Sequence, residues 1–407
     1  MNAGMRALVA AVLATAAAGP IGAADFCPQN ETDLRAALAA AQSNGQPDTI
    51  RLLATTYFTG GVKFSLLQSD TGDVTISGGW VNAGLFLCAQ QLGSASATIL
   101  DAQGSSAVLE FGQGSGPLPN GTTLTLQNLT LRNGLTGVNG ESAGLAMIGG
   151  IGQTLRVERV AVLDSRQTTA APNIFSNVVT LAGYADIYLL DSLFAGGQGT
   201  YANLAVFSYT DGATVFLTNN TILLDGAPLA ALLDANAGSN YRLVNNAILG
   251  NLNVNSRTST DLIQLYLLHN VGQWSTFFNY NLASNLNNLN GVDPGFVGGG
   301  NYRPAAGSLL VNRGLNAPVG DFQPRRDYPG RAMVGFHETC LFSQRAPGGA
   351  GSLATVASCL WRSRRGRGRR RRRIGRRRTP ARHASPPADG QEAGLRHEPR
   401  HRWVSHE

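Results

Sequence analysis

The sequence predicts an all-β protein built as a parallel β-helix (a β-solenoid), with a capping helix at its N-terminal end. Two observations lead to this prediction. The chain of 407 residues contains 50 glycines but only 7% aromatic and 14% charged residues, which is typical of a turn-rich β protein. In the middle of the chain an apolar-x-apolar-x-polar pattern recurs six times, and each copy shows the period-2 alternation of a β-strand.

The six copies follow one another at intervals of 31, 32, 28, 26 and 24 residues. A repeat of this length indicates a stacked architecture in which each copy belongs to one coil. The copies contain no helical heptads, which excludes a helical solenoid and leaves a β-solenoid. They read LTLQNLTL from Leu124, LRVERVAV from Leu155, IYLLDSLF from Ile187, VFLTNNTI from Val215, YRLVNNAI from Tyr241 and LYLLHNVG from Leu265.

Equivalent residues of successive copies should form columns, because the coils of a parallel β-helix stack about 4.8 Å apart. Two inward columns are apolar, and the polar turn position forms a third column that is rich in asparagine. Stacked asparagine amides can hydrogen-bond from coil to coil, so we interpret this third column as structural. The first column contains Leu124, Leu155, Ile187, Val215 and Tyr241, the second Leu126, Val157, Leu189, Leu217 and Leu243, and the third Asn128, Arg159, Asp191, Asn219, Asn245 and His269.

The N-terminal end of such a stack exposes an unpaired strand edge, which a helix beginning at Thr32 is predicted to cover. Thr32 is a suitable N-cap, and Gly45 is expected to end the helix. Leu34 and Leu38 lie on one face of this helix, which should pack on the first coil. Strands are predicted in DTIRLL from Asp48, DVTISGGW from Asp73 and SATILDAQ from Ser96.

Residues 1–24 have the composition of a secretory signal peptide. Arg6 precedes an apolar run from Ala7 to Ala18, and small residues lead to an expected cleavage after Ala24. No later segment approaches the roughly 18 uninterrupted apolar residues that span a bilayer. We therefore expect a secreted protein, extracellular or on the outer surface of a bacterium, without a transmembrane segment.

The four cysteines suggest one disulfide. In an oxidising compartment a bridge between Cys27 and Cys88 would tie the N-terminal cap to an early strand, and two unpaired thiols are the alternative. Cys340 ends the predicted β-helix and Cys359 follows it. No cysteine or histidine spacing resembles a zinc site, so no metal is predicted from these residues.

The formal net charge of +7 belongs to the end of the chain. Residues 343–407 contain 17 arginines and 4 acidic residues, whereas residues 1–342 contain 15 basic and 21 acidic residues. A body of that sign repels phosphates, so no nucleic-acid partner is expected for it. Residues 343–407 cannot build a core, and we keep two interpretations. The segment is either the product of a frameshift in a GC-rich gene or a disordered basic tail that binds lipopolysaccharide, DNA or an anionic membrane.

From Asp25 to Phe342 the chain resembles the secreted right-handed parallel β-helix proteins of bacteria, which have the pectin lyase-like fold. The resemblance rests on the cap helix followed by DTIRLL, ISGGW and ATILDAQG. The closing stretch, VDPGFVGGGNYRPAAGSLLVNRG, is similar to the end of the choice-of-anchor Q domain family, although Phe336 and His337 depart from its pattern. This similarity implies an architecture and attachment to the cell exterior, without an activity. The matching residues are Asp293, Pro294, Phe296, Tyr302, Arg303, Gly307, Ser308, Gly314, Asp327, Gly330, Arg331, Gly335 and Glu338.

Two functions compete for a fold of this kind. A lyase would need stacked carboxylates for Ca²⁺ together with a base, and a glycoside hydrolase would need two facing carboxylates. No column holds two adjacent acids, so no catalytic residue is assigned. No cofactor is predicted either; calcium would be needed only by the lyase alternative. We predict a monomeric, non-enzymatic binding or structural protein that recognises a glycan or another cell-surface component. The alternative is a polysaccharide lyase or glycoside hydrolase acting on one face. The acids at repeat positions are Glu158, Asp164, Asp191 and Asp225.

Overall fold

The computed structural model describes residues 23–310, apart from residues 93, 115–120, 171–172, 237, 258–262, 278–279, 299–300 and 306. The predicted signal peptide up to residue 22 lies outside the described residues. So do the closing stretch after residue 310, with His337 and Cys340, and the arginine-rich residues 343–407.

The described residues contain one α-helix, α1 (Glu31–Ala41), one short 3-10 helix (Ala95–Ala97) and thirty strands. The first fifteen strands are β1 (Ala24–Phe26), β2 (Asp48–Leu53), β3 (Thr56–Phe58), β4 (Phe64–Gln68), β5 (Val74–Ala83), β6 (Phe86–Gln91), β7 (Ile99–Asp101), β8 (Leu109–Gln113), β9 (Thr123–Arg132), β10 (Leu135–Thr136), β11 (Leu145–Ile151), β12 (Thr154–Leu163), β13 (Arg166–Gln167), β14 (Val179–Tyr184) and β15 (Ile187–Leu190). The others are β16 (Leu193–Ala195), β17 (Ala202–Ser208), β18 (Thr214–Thr218), β19 (Thr221–Leu223), β20 (Leu229–Ala235), β21 (Asn240–Val244), β22 (Ala247–Leu249), β23 (Leu252–Ser256), β24 (Ile263–Leu268), β25 (Val271–Gln273), β26 (Thr276–Phe277), β27 (Tyr280–Leu286), β28 (Leu289–Asn290), β29 (Phe296–Gly298) and β30 (Asn301–Pro304).

The strands wind into a right-handed parallel β-helix, as the sequence predicted. Each full coil contributes one strand to each of three parallel ladders, which we call the first, second and third sheets. The long strands β9 and β12 bend in the middle and contribute to both the first and the second sheet. The first sheet is β1-β2-β5-β9-β12-β15-β18-β21-β24-β27, the second is β3-β7-β9-β12-β16-β19-β22-β25-β28, and the third is β4-β8-β11-β14-β17-β20-β23-β26.

The predicted inward columns form the core. Leu124 pairs with Leu155, and the register continues through Ile187, Val215 and Tyr241 to Leu265 without a shift. All six side chains are fully buried. Because like positions stack on one another, each coil removes the apolar edge of its neighbour from water, and this burial is the main source of stability.

Helix α1 covers the N-terminal end through Leu34, Ala37, Leu38 and Ala41, which are all buried. The predicted N-cap, Thr32, was wrong. Asn30 takes that position, because its extended backbone places its side-chain oxygen 3.0 Å from the N–H of Asp33. The prediction that Gly45 ends the helix was also wrong. The helix ends at Ala41, and Gly45, four residues further along and with φ of 74°, turns the chain towards β2.

The last described strands depart from the coil. Strands β29 and β30 pair antiparallel, and the rings of Phe296 and Tyr302 meet edge to face at a centroid distance of 6.2 Å. Both rings pack on an outward apolar cluster of the second sheet. The closing hairpin therefore lies against the outside of this sheet. The cluster contains Ala161, Leu163, Leu193, Ala195 and Leu223.

Candidate functional site

The predicted asparagine column lies at the bend between the first and second sheets. All six of its residues, from Asn128 to His269, have a left-handed backbone with φ between 48° and 59°. Asparagine and aspartate tolerate this conformation better than other side chains, which accounts for their frequency here. Hydrogen bonds join turn residues of successive coils, for example from Asn219 to Asp191 at 3.0 Å, and between His269 and the left-handed Asn287 of the next coil at 3.2 Å. The column therefore turns the chain.

The amide ladder expected in that column lies one residue further along the chain. Asn220 donates to Asn246, Asn246 to Asn270, and Asn270 to Asn288, over distances of 2.9 to 3.0 Å. Each left-handed residue reverses the alternation of inward and outward side chains, so its successor faces the interior. Residues 220, 246 and 270 are fully buried. The doublets NN at 219 and 245 contain this signal: the sequence predicts the ladder at the first asparagine of each, whereas it runs through the second.

Cys27 and Cys88 form a disulfide, with the sulfur atoms 1.97 Å apart. The bridge joins the segment before α1 to strand β6. Trp80, on the neighbouring strand β5, lies beneath the guanidinium of Arg51 at 4.8 Å, and Arg51 also pairs with Asp25 at 2.8 Å. The bridge and these contacts hold the cap against the first coils.

A column of aromatic and arginine side chains faces outward from the first sheet, and sequence reasoning missed it. Its residues occupy the position between the two inward columns, so strand alternation turns them outward. The register joins them in one line along the helix axis. We call this line the outer column; it contains Thr125, Arg156, Tyr188, Phe216, Arg242, Tyr266 and Ser284.

The centre of the outer column is a continuous stack. Tyr188 and Phe216 lie parallel at 5.0 Å, with an interplanar angle of 5°. The guanidinium of Arg242 lies 5.5 Å from the ring centroid of Phe216 and 5.3 Å from that of Tyr266. An arginine between two aromatic faces gains cation–π stabilisation and loses conformational freedom. Arg242 is therefore held in one orientation before any ligand arrives.

Arg242 makes no ion pair and no side-chain hydrogen bond with the described residues, and its buried Nε has no partner. Other arginines are neutralised locally. Glu158 accepts from Arg156 at 2.9 Å and from Arg159 at 2.7 Å. On the third sheet, Arg257 pairs with Asp234 at 3.1 Å. Arg242 thus combines a fixed guanidinium with unused donors, which is the arrangement that binds carboxylate or sulfate.

A second group of polar side chains lies at the bend after the second sheet. Asp225 accepts a hydrogen bond from the Gly196 N–H at 2.6 Å, and the carboxylate of Asp164 occupies the space that a Cβ on Gly196 would fill. The expectation that no two acids adjoin was therefore incomplete, because these acids come from neighbouring columns and meet over a glycine. Burial raises the pKa of the Asp164 carboxyl. The charge of Arg132 opposes this rise, and the charge of Asp225 adds to it.

Burial also raises the pKa of Asp225, despite the hydrogen bond from Gly196. The pKa of the Tyr302 hydroxyl rises to about 12, through burial and the negative charges of Asp225 and Asp164. The closing hairpin thus places a neutral phenol beside the acid pair.

We expect Asp225→Asn to flatten the dependence of stability on pH. Because the folded-state pKa is raised, the carboxyl stabilises the fold fully below its ordinary pKa of about 3.9, and this contribution is lost as pH rises through the folded-state pKa. Asparagine keeps the acceptor for Gly196 and removes the charge. The variant should therefore be more stable than wild type at pH 7 and should lose that advantage near pH 3. The difference at pH 7 should be less than about 1 kcal/mol, because the site is half-exposed.

Thermal unfolding between pH 3 and 8 measures this effect. The matched control is Asp211→Asn, at an exposed turn between β17 and β18. A gain at pH 7 that persists unchanged at pH 3 would contradict the explanation by charge.

A cleft of about 670 Å³ continues from Leu224, the neighbour of Asp225, towards the C-terminal coils. Its wall is mixed, with one indole, several amides and aliphatic side chains. Asn290 accepts from the backbone N–H of Trp274 at 2.9 Å and donates to its backbone carbonyl at 2.8 Å, which fixes the backbone that carries the indole. The lining residues are Leu224, Leu249, Gly250, Asn251, Gln273, Trp274, Ser275, Asn290 and Gly291.

Two further findings apply to the described part of the chain. It contains no group of three or more histidine, cysteine, aspartate or glutamate side chains arranged to hold a metal ion. None of its helices is long and apolar enough to cross a membrane.

No protein-family model matches the chain, and no curated protein matches it. Among solved structures, the chain is similar to the pectin methylesterase from Aspergillus niger in deglycosylated form. The two are 12% identical, the match covers 68% of this chain and 87% of that chain, and the TM-score is 0.21. We draw nothing about activity or ligand from a similarity of this size.

Proposed function

We propose that this protein binds an acidic polysaccharide along the outer column of the first sheet, as a non-enzymatic binding module of the cell exterior. The observation that carries the proposal is Arg242, whose guanidinium is fixed between Phe216 and Tyr266 and has no carboxylate partner among the described residues. A uronate carboxylate or a sulfate would supply the missing acceptor.

The surroundings of Arg242 suit a sugar chain. The column runs along the helix axis with one residue per coil, about 4.8 Å apart, so a linear polymer can meet several residues in succession. Hydroxyl and amide side chains flank it at Thr214 and Asn240, which pair across β18 and β21. Two acids on this face are already engaged: Glu158 is held between two arginines, and Asp186 accepts from the Thr214 N–H at 2.8 Å. These contacts favour binding over chemistry here.

Replacing Arg242 by glutamine should weaken binding of an acidic polysaccharide by roughly ten- to a hundredfold. This follows from a charge-assisted hydrogen bond worth about 1.5–3 kcal/mol. Affinity electrophoresis and calorimetry with polygalacturonate, alginate and hyaluronate measure the loss, and dextran serves as the uncharged comparison. Binding should weaken with added salt, because the contact is ionic.

The matched control is Arg166→Gln, which removes the same charge from the exposed side chain of β13 outside the outer column. It should leave binding unchanged. Equal affinity for dextran, or equal losses in the two variants, would overturn the proposal.

The rival function is polysaccharide hydrolysis, and the observation that favours it is the Asp164–Asp225 pair, which meets at Gly196 next to the cleft residue Leu224. The same polysaccharide panel tests it. Release of new reducing ends that is abolished by Asp225→Asn would assign an enzyme. Unsaturated products would instead support the lyase alternative.

The similarity to the choice-of-anchor Q family belongs to this proposal as well. Its matching residues from Asp293 to Ser308 include the closing hairpin, and those from Gly314 onward lie outside the described residues. Export through the predicted signal peptide supports a location where polysaccharides are found. Protease accessibility of the protein on intact cells tests the location.

A further inference from the structure

Strands β5 and β6 form a hairpin that extends beyond the coil. The first part of β5 pairs with β2 and β9, but its end, from Val81 to Ala83, pairs with β6 alone. Ala83 and Phe86 close a two-residue turn, with Gly84 at φ of 59° in its first position. We call Gly84–Leu87 the hairpin tip.

The tip presents three consecutive large apolar side chains to solvent. Leu85 is 97% exposed, Phe86 74% and Leu87 58%. Single exposed apolar residues are ordinary on a protein surface, but a run of three on one protruding turn marks an interaction site.

The tip is also rigid. Cys88 follows it directly and is bridged to Cys27, and the Cys88 N–H donates to the side chain of Asn82 at 2.9 Å. A mobile loop could fold its apolar side chains back onto the coil. This hairpin is held away from it, so the exposure of the tip is built into the fold.

We infer that the hairpin tip inserts into a lipid surface and attaches the protein to a membrane. Phe86 and Leu87 point to opposite sides of β6, as alternate strand residues do, and both are exposed. Docking on a protein surface would cover one side of the hairpin, whereas the acyl region of a bilayer surrounds both sides. The chemistry changes in layers from apolar at the tip to the amides of Asn82, Gln90 and Gln91 and the indole of Trp80 towards the base, as at a membrane interface.

The charge of the hairpin predicts which lipid headgroups it tolerates. No charged residue occurs between Asp73 and Asp101, so the whole hairpin is neutral. Insertion should therefore need no anionic headgroup and should resist salt, unlike attachment through the arginine-rich residues 343–407. This inference is independent of polysaccharide binding, which uses the outer column.

The test is flotation of the full-length, disulfide-bonded protein with phosphatidylcholine vesicles in 0.5 M salt. Wild type is expected to float with the vesicles. The triple variant Leu85→Ser, Phe86→Ser, Leu87→Ser should lose at least tenfold in its lipid partition coefficient. The control pair Val62→Ser and Ile151→Ser removes apolar side chains that are 63% and 68% exposed elsewhere, and should not change partitioning.

A second measurement does not depend on the triple variant folding. In Phe86→Trp, the emission gained over wild type, which has four tryptophans, should shift to shorter wavelength with phosphatidylcholine vesicles and be quenched by brominated acyl chains. Absence of wild-type flotation, or an unquenched indole, would overturn the inference. Binding restricted to anionic vesicles and removed by salt would assign attachment to the arginine-rich segment. A dimer that wild type forms without lipid in sedimentation velocity, and that the triple serine variant does not form, would assign the tip to self-association instead.

Discussion

Replacing Asn246 by alanine is expected to lower the free energy of unfolding by about 4 kcal/mol. The Asn246 side chain donates to Asn270 and to the Leu217 carbonyl, and accepts from both the backbone and the amide of Asn220. Truncation removes these four hydrogen bonds at a fully buried position, at about 1 kcal/mol each. Asn270 Oδ1 keeps the Asn246 backbone N–H, and the Asn220 amide keeps the Leu189 carbonyl, so the loss stays near this sum. Urea denaturation followed by circular dichroism measures the change.

The control for this experiment is Asn219→Gly, in the neighbouring coil position. The Asn219 side chain donates to Asp191, and its backbone has φ of 57°, which glycine adopts without strain while keeping the bond from the N–H to the Val244 carbonyl. Its replacement should cost less than about 1 kcal/mol. Equal effects at positions 219 and 246 would show that the buried ladder contributes no more than the turn, contrary to the geometry.

The inward columns were predictable because two independent signals agree on them. Strand alternation places Leu124 and Leu126 on one face, and the repeat then places Leu155 and Val157 directly above. The repeat predicts where the turn residue lies but not its left-handed backbone. That backbone makes Asn220, rather than Asn219, face the interior, and a strict period-two pattern does not predict this change of direction.

The candidate sites depend on contacts that single-sequence patterns do not reveal. Arg242, Phe216 and Tyr266 occupy one column but share no residue type, so the repeat gives no hint that they stack. Asp164 and Asp225 lie in different columns and meet only because Gly196 leaves room between them. The exposure of the hairpin tip follows from where β5 leaves the coil, which the sequence pattern does not show.

The closing hairpin lies beside the acid pair. Tyr302 packs on the apolar cluster outside the second sheet, close enough to Asp164 and Asp225 for their charges to raise its pKa. Desolvation raises the pKa of both carboxyls. A residue pair of this kind suits proton transfer more than ion binding, which is why hydrolysis, rather than a calcium-dependent reaction, is the rival function that the geometry supports.

Removing the Cys27–Cys88 disulfide is expected to cost about 4 kcal/mol of stability, the second large effect in this molecule. The bridge closes a loop with a sequence separation of 61, and the loop-entropy relation gives this value for a loop of that size. The loop contains α1 and the strands from β2 to β5, so the loss should fall on the cap that protects the N-terminal edge of the β-helix. The change is the double replacement Cys27→Ala and Cys88→Ala, measured by urea denaturation with and without dithiothreitol.

Dithiothreitol should lower the stability of wild type to that of the double variant and should leave the variant unchanged, which separates this bridge from effects of Cys340 and Cys359. Exposure of the strand edge should also make the reduced protein associate at concentrations where the oxidised protein does not, which light scattering measures. The disulfide further fixes β6, so reduction should loosen the hairpin tip. If the reductant does not change the unfolding of wild type, the bridge does not stabilise the cap. The packing of Leu34 and Leu38 would then be enough to hold the cap in place.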